Sequence, residues 1–164
     1  MSSTHAEVLA RLENAGHRLP NVQPAIAAYT PALVSGALAF TSGQLPLVDG
    51  ALAATGKVGH AEDAVTPEDA RALAETCALN ALAALVCAIG DLGRVARVVK
   101  VTGFVASQPD FFDHSVVIDG ASTLLQAAFG EAGVHTRSAV GVAALPKNSP
   151  VEVELVVELN DQSA

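Results

Sequence analysis

The apolar and polar positions along this chain divide it into helix-period and strand-period stretches. Val8, Leu9 and Leu12 form a short apolar stripe at helical spacing. Ahead of it, Thr4-His5-Ala6-Glu7 has the reciprocal form of a capping box, and Gly16 closes the helix. Leu19-Pro20 through Pro24 reads as an extended connection. Ile26 to Val34 is strand-like but broken by Pro31, which confines it to an edge or a bulge. Ser35-Gly36 is a turn signal and Ala37 to Ser42 a cleaner strand, so the two pieces predict a hairpin. Leu45 to Gly59, with Pro46, Asp49-Gly50 and Gly56, reads as loop with a minor strand.

Thr66-Pro67-Glu68-Asp69 is a helix start. Thr66 caps, Pro67 suits the first turn, and the two acids face the positive end of the dipole. The helix is predicted to run to about Ile89 and to stop at Gly90. It is apolar around much of its circumference, so it is expected to be covered on more than one side. Val95 to Val105 is rich in β-branched residues and reads as a central strand, with Arg97 and Lys100 at its less buried entry. Asp110 is placed to cap a helix over Phe111 to Phe129, interrupted at Asp119-Gly120 and ended by Gly130 and Gly133. Ser138 to Ala144 and Val151 to Leu159 supply the last two strands, joined by Pro146-Lys147-Asn148-Ser149-Pro150. The order predicts an α+β fold with helices collected on one face of a mixed β-sheet.

Length narrows this to a single domain over 1–164: an N-terminal helix and connection in 1–23, a core over 24–159 and a polar, fraying tail over 160–164. A net charge of −8 argues against a broad nucleic-acid footprint, which needs clustered Lys and Arg. The start lacks a basic segment followed by an apolar one, and no uninterrupted apolar run reaches roughly 20 residues. Neither a secretory leader nor a membrane span is therefore expected. The two cysteines, Cys77 and Cys87, fall on the same predicted helix, where ten residues of rise cover about 15 Å and rule out a mutual disulfide. Both are expected to be buried free thiols, consistent with a reducing cytoplasm.

Chemistry is sparse. No Gly-rich segment ends in Gly-Lys-Ser/Thr, and Ser42-Gly43 lacks the Gly-x-Ser-x-Gly frame of a nucleophile elbow. The five histidines (His5, His17, His60, His114 and His135) are scattered, so no metal site is expected. His114 and His135 are read as polar helix and loop residues, and Asn80 as a buried amide bonded to a neighbouring loop. The exception is Arg137, which precedes the apolar run Ser138 to Leu145 and is followed by a strand carrying Glu152, Glu154 and Glu158. An arginine at the mouth of an apolar segment can hold both oxygens of a carboxylate. On the local pattern alone, an exposed loop arginine beside a solvated acidic strand is the leading reading, since exposed charges are the usual case.

Several motifs then occur in register. They are Phe40-Thr41-Ser42-Gly43-Gln44-Leu45-Pro46, the Asn80 helix over Thr76 to Leu85, and Val98 to Val105 followed by Asp110-Phe111. The last is Arg137 through Pro146 with Val151-Glu152-Val153-Glu154. Together they resemble the Rid family (RidA/YjgF type, also labelled L-PSP endoribonuclease) over residues of about 24 to 159. The resemblance implies a chorismate-mutase-like α+β fold assembled as a homotrimer, with sheets forming an inner barrel and clefts between subunits. It also implies a carboxylate-binding role for Arg137, a glutamate near the hydrolytic water at Glu152, a pocket tyrosine at Tyr29, and cleft-lining positions at Ser42 and Gly43. The chain departs from the pattern at Ala27-Ala28-Tyr29-Thr30-Pro31, at Ala139, and at Asp119-Gly120-Ala121-Ser122, where Asp119 stands at or near an asparagine. With its N-terminal helix and the 50–65 insertion it resembles a longer branch of the family.

By that resemblance the expected activity is hydrolysis of reactive enamines or imines to 2-oxo acids and ammonia, with no cofactor. Arg137 and Asp119 would contact the small carboxylate substrate, and an Asp119 facing the cleft needs a neutralising partner. A regulatory or non-catalytic binder of small carboxylic acids is the alternative. Endoribonuclease activity is disfavoured by the acidic balance.

Overall fold

Val95–Ala106 and Val151–Leu159 are the longest strands, and the second buries aliphatic residues at every other position. Alternation of that kind makes a sheet with one face turned to a core. In the computed structural model, which describes residues 3–22 and 28–160, these two strands (β5 and β7) pair antiparallel at the centre of a five-stranded sheet. The hairpin β1 (Ala32–Ser35) and β2 (Leu38–Thr41) adds to β7, and β6 (Thr136–Val142) adds parallel to β5. The order is β1-β2-β7-β5-β6. A two-stranded ribbon, β3 (Leu47–Val48) and β4 (Ala51–Leu52), turns at Asp49-Gly50. Val95, Val98 and Val101 are three apart yet all buried, because the β5–β7 pairing shifts register between Val95 and Arg97 and again between Val98 and Lys100.

Three helices cover one face. The first, α1 (His5–Asn14), has both reciprocal hydrogen bonds of the capping box between Thr4 and Glu7. Thr66 caps α2 (Pro67–Ile89) and Gly90 ends it in a left-handed conformation. By length and composition α2 could cross a bilayer, but it is the central core helix, packed on β7 and on α3 (His114–Phe129). Its Asn80 is buried and donates to the carbonyls of Leu45 (2.9 Å) and Leu47 (3.0 Å), tying the β3 ribbon to the core.

Three expectations change. α3 begins at His114 rather than beside Asp110, because Phe111 leaves the chain direction to enter the core against His60 and His114, its amide closing a turn on Gln108. Asp110 therefore caps nothing; Asp113 stands at the cap position without a side-chain bond. The helix also runs unbroken through Asp119-Gly120. Gly120 is a point of close approach: a Cβ there would fall on the main-chain carbonyl of Arg71 in α2. Finally, Cys77 is buried but Cys87 is exposed. β1 begins after Pro31, while the expected strand start at Ile26, the connection near Pro24 and the tail from Asp161 lie outside the described residues.

Because the α2–α3 crossing is set by backbone contact, Gly120→Ala should destabilise the fold by about 1–3 kcal/mol through overpacking. Urea unfolding measures this as a lower midpoint at unchanged slope; an unchanged midpoint would show that the helices can part freely.

Candidate functional site

The parallel register of β6 on β5 sets Arg137 opposite the buried Val101, so its side chain lies on the helix side of the sheet. There it meets α3, whose Ser115, Asp119 and Ser122 share one face by helical spacing. Arg137 Nη1 donates to Asp119 Oδ1 at 2.7 Å and to Ser122 Oγ at 3.1 Å, and Nη2 donates to the Ser115 carbonyl at 3.3 Å. His135 completes the chain. Its Nδ1 lies 2.6 Å from the Gly133 carbonyl, which can only accept, so Nδ1 carries the proton. In the neutral ring Nε2 then accepts from Ser122 Oγ at 2.9 Å, leaving that oxygen's lone pairs for Arg137. Burial holds His135 below the usual imidazole range, and the Arg137 charge adds to this against the opposing Gly133 hydrogen bond.

A second cluster forms at the other side of the sheet. Ser42 follows β2; its amide donates to the Pro31 carbonyl at 2.8 Å and its hydroxyl to the Thr30 carbonyl at 2.7 Å. These bonds hold the segment that carries Tyr29, which is 44 % exposed. Gln44 then exchanges backbone hydrogen bonds with Val153, at 2.8 and 3.0 Å, so the intervening Gly43 lies against β7. A Cβ at Gly43 would fall on the Glu152 carboxyl. Only glycine admits that carboxyl against the backbone. Among the described residues no side chain pairs with Glu152. Burial pushes its carboxyl above the usual glutamate range, and repulsion from Glu154 adds to the shift. Cys77, beneath it, is raised well above the ordinary thiol value by burial first and by Glu152 second.

Ser42, Gly43 and Glu152 thus gather at one place, with Tyr29 on the segment that Ser42 holds, and Arg137 with Asp119 at another. β6 and β7 flank β5 on opposite sides, and Glu152 alternates with buried Val151 and Val153, so it lies on the face away from the helices. Within one chain the arginine and the glutamate occupy opposite faces and do not share a cleft. His114 is separate from both clusters, bonded to Ser107 Oγ at 3.0 Å. Sequence reading missed Ser122 as a partner of Arg137 and His135 as the partner of Ser122. The signal was available: Ser122 is one turn after Asp119, hidden only by reading the helix as interrupted there. Among the described residues no group of three or more metal-type side chains converges.

The raised Glu152 value has a consequence for stability. In the unfolded chain this carboxyl ionises at lower pH than in the folded one. Its contribution is full below the usual glutamate range and is lost as pH rises through the raised folded value. Glu152→Gln should therefore raise the thermal midpoint at neutral pH and lose that advantage near pH 4. Thermal unfolding at both pH values measures this; an equal difference at the two would contradict it.

The family model described as "YjgF/chorismate mutase-like, putative endoribonuclease" matches residues 9–159. Protein TCP17 of Trypanosoma cruzi is 42 % identical over 155 residues, covering 94 % of this chain and 95 % of its own. The solved structure of Atu1372 from Agrobacterium tumefaciens, of unknown function, is 41 % identical with a TM-score of 0.87, over 95 % of this chain and 94 % of that one. E. coli TdcF, solved with bound serine, is 26 % identical with a TM-score of 0.61, over 85 % and 94 % of the two chains.

Proposed function

This chain belongs to the YjgF/chorismate mutase-like family, and from that premise we propose that it hydrolyses reactive imines of small 2-amino acids to 2-oxo acids and ammonia. The carrying observation is the division of the machinery. A carboxylate-seeking arginine lies on one face, and a partnerless, partly buried carboxyl beside a glycine lies on the other. Two copies of the chain, each contributing one half, make a complete site, which a homotrimer would repeat at each subunit junction.

In that site Arg137 holds the substrate carboxylate and so fixes the imine carbon in position, the largest part of what such a site needs to supply. Glu152 takes a proton from a water as its oxygen bonds to the imine carbon, and returns it to the nitrogen. The carbinolamine then collapses: Glu152 takes the hydroxyl proton and passes it to the nitrogen as the C–N bond breaks, the C=O forms and ammonia leaves. A carboxyl whose proton affinity is raised toward neutrality suits this exchange better than an ordinary surface glutamate. Tyr29 closes the pocket and donates a hydrogen bond, and Ser42 and Gly43 line it. The serine bound to TdcF is itself a small 2-amino acid. The existing Arg137–Asp119 ion pair favours a second reading, in which the cleft binds a small carboxylic acid without turnover.

An amino-acid oxidase coupled to this protein releases the imine in place, and its decay is followed spectrophotometrically. The decay should accelerate over buffer. Arg137→Ala should lower kcat/KM about 100-fold or more, corresponding to about 3 kcal/mol for a lost charged hydrogen-bonding partner. No acceleration with the parent protein, together with binding of 2-oxo acids, selects the binding reading. Full activity in Arg137→Ala removes the anchor assignment.

A further inference from the structure

Asp119 does not hold Arg137 alone. The Nη1 nitrogen that bonds it at 2.7 Å also donates to Ser122 Oγ at 3.1 Å. A hydroxyl turns about its C–O bond, so Ser122 is an acceptor in a fixed place only while its own proton is held elsewhere. Inside a helix that proton has a competing partner, the main-chain carbonyl one turn back. His135 offers it another. The Gly133 carbonyl, 2.6 Å from Nδ1, can only accept, which puts the ring proton on Nδ1 and leaves the lone pair on Nε2. That lone pair lies 2.9 Å from Ser122 Oγ. Burial, with the Arg137 charge adding to it against the Gly133 bond, favours the neutral ring that can accept. Every bond in the series therefore has one direction: Arg137 donates to Ser122, Ser122 to His135, and His135 to the main chain at Gly133.

We propose that His135 is a positioning residue for the carboxylate anchor, acting through the Ser122 hydroxyl to keep the Arg137 guanidinium in one attitude. The bond to Asp119 runs through Oδ1, on a side chain that is 49 % exposed. One contact at one nitrogen leaves a planar guanidinium able to swing about that point. Ser122 on the same nitrogen and the Ser115 carbonyl, 3.3 Å from Nη2, remove the swing. All three partners come from α3. The Ser115 carbonyl is fixed by the helix backbone, whereas the Ser122 hydroxyl is free to rotate unless something takes its proton. His135 takes it, and is itself tied to the main chain just ahead of β6. A carboxylate receptor works by presenting its donors already aimed, because ordering them at the moment of binding costs affinity. The role rests on Arg137 being the carboxylate anchor, and it applies whether the cleft turns the ligand over or only binds it. It does not require His135 to touch the ligand.

The test titrates 2-oxobutanoate, a small carboxylate probe, calorimetrically into the full chain and its variants near neutral pH. Ser122→Ala should weaken the probe about tenfold, the worth of one hydrogen bond to a charged group. His135→Phe keeps the bulk of the ring and removes the acceptor; it should weaken the probe about threefold. Because His135 acts through Ser122, the double variant should lose about tenfold and not the product of the two. His135→Gln, whose side-chain oxygen can stand near the Nε2 position, should recover most of what His135→Phe loses, which a ring that only fills space does not predict. Independent losses in the double variant overturn the inference, as does a His135→Gln no better than His135→Phe. Heteronuclear NMR of the parent, which requires no variant to fold, should show His135 as the Nδ1–H tautomer; the Nε2–H tautomer overturns the inference. So does a parent protein that does not bind the probe. Imine turnover is read separately. Its absence with the binding pattern intact removes the hydrolytic reading alone, and its presence with Ser122 and His135 variants unchanged removes the positioning role alone.

Discussion

The Arg137 end of the molecule depends on how closely α3 lies against α2. Contact between Gly120 and the Arg71 carbonyl brings the helices to backbone distance. At that distance the neighbouring residues matter, because Asp119, just before the contact, and Ser122, two residues after it, both reach Arg137 on the sheet's edge strand. A bulkier crossing would lift α3 off β6 and part Asp119 from a guanidinium it now meets at 2.7 Å. The geometry of the charged pair is thus inherited from an apolar packing constraint some residues away. Interiors transmit such constraints because they are close-packed rather than fluid.

The other half of the site is organised by sheet register. Glu152 occupies one position in an alternation that buries Val151, Val153, Leu155, Val157 and Leu159. A slip of one residue would send five aliphatic side chains to the open face and the glutamates into the core, so the register is firmly specified. The β2–β7 pairing then fixes where Gly43 falls, and Gly43 leaves room for the carboxyl. The two half-sites are therefore set by independent means, one by helix crossing and one by strand register.

This division explains what could be read in advance. Strong local signals survived intact: the Thr4 and Thr66 caps, the Gly90 stop and the β7 alternation all stand where the sequence puts them. Asn80 was legible as a bonded buried amide, because an amide in an apolar helix has few other outcomes. The errors cluster in α3. Asp110 and the Asp119-Gly120 pair carry local signals for a cap and a break, and tertiary packing overrides both: Phe111 is pulled into the core, and glycine serves contact rather than a turn. The same error concealed Ser122, whose relation to Arg137 exists only in a continuous helix, and with it the bond from Ser122 to His135. That Arg137 and Glu152 face away from each other was not legible at all. It depends on the parallel pairing of β6, which no local pattern announces.

The unequal placement of the two thiols has a practical side. Cys77 is sealed under β7, its Sγ donating to the Val151 carbonyl at 3.7 Å, whereas Cys87 stands in the open one turn from the end of the same helix. A maleimide applied under native conditions therefore labels one position per chain, and a second equivalent reacts only when the core opens. The molecule carries its own unfolding clock, and a dye at Cys87 would sit at a defined end of its longest helix without any engineered residue.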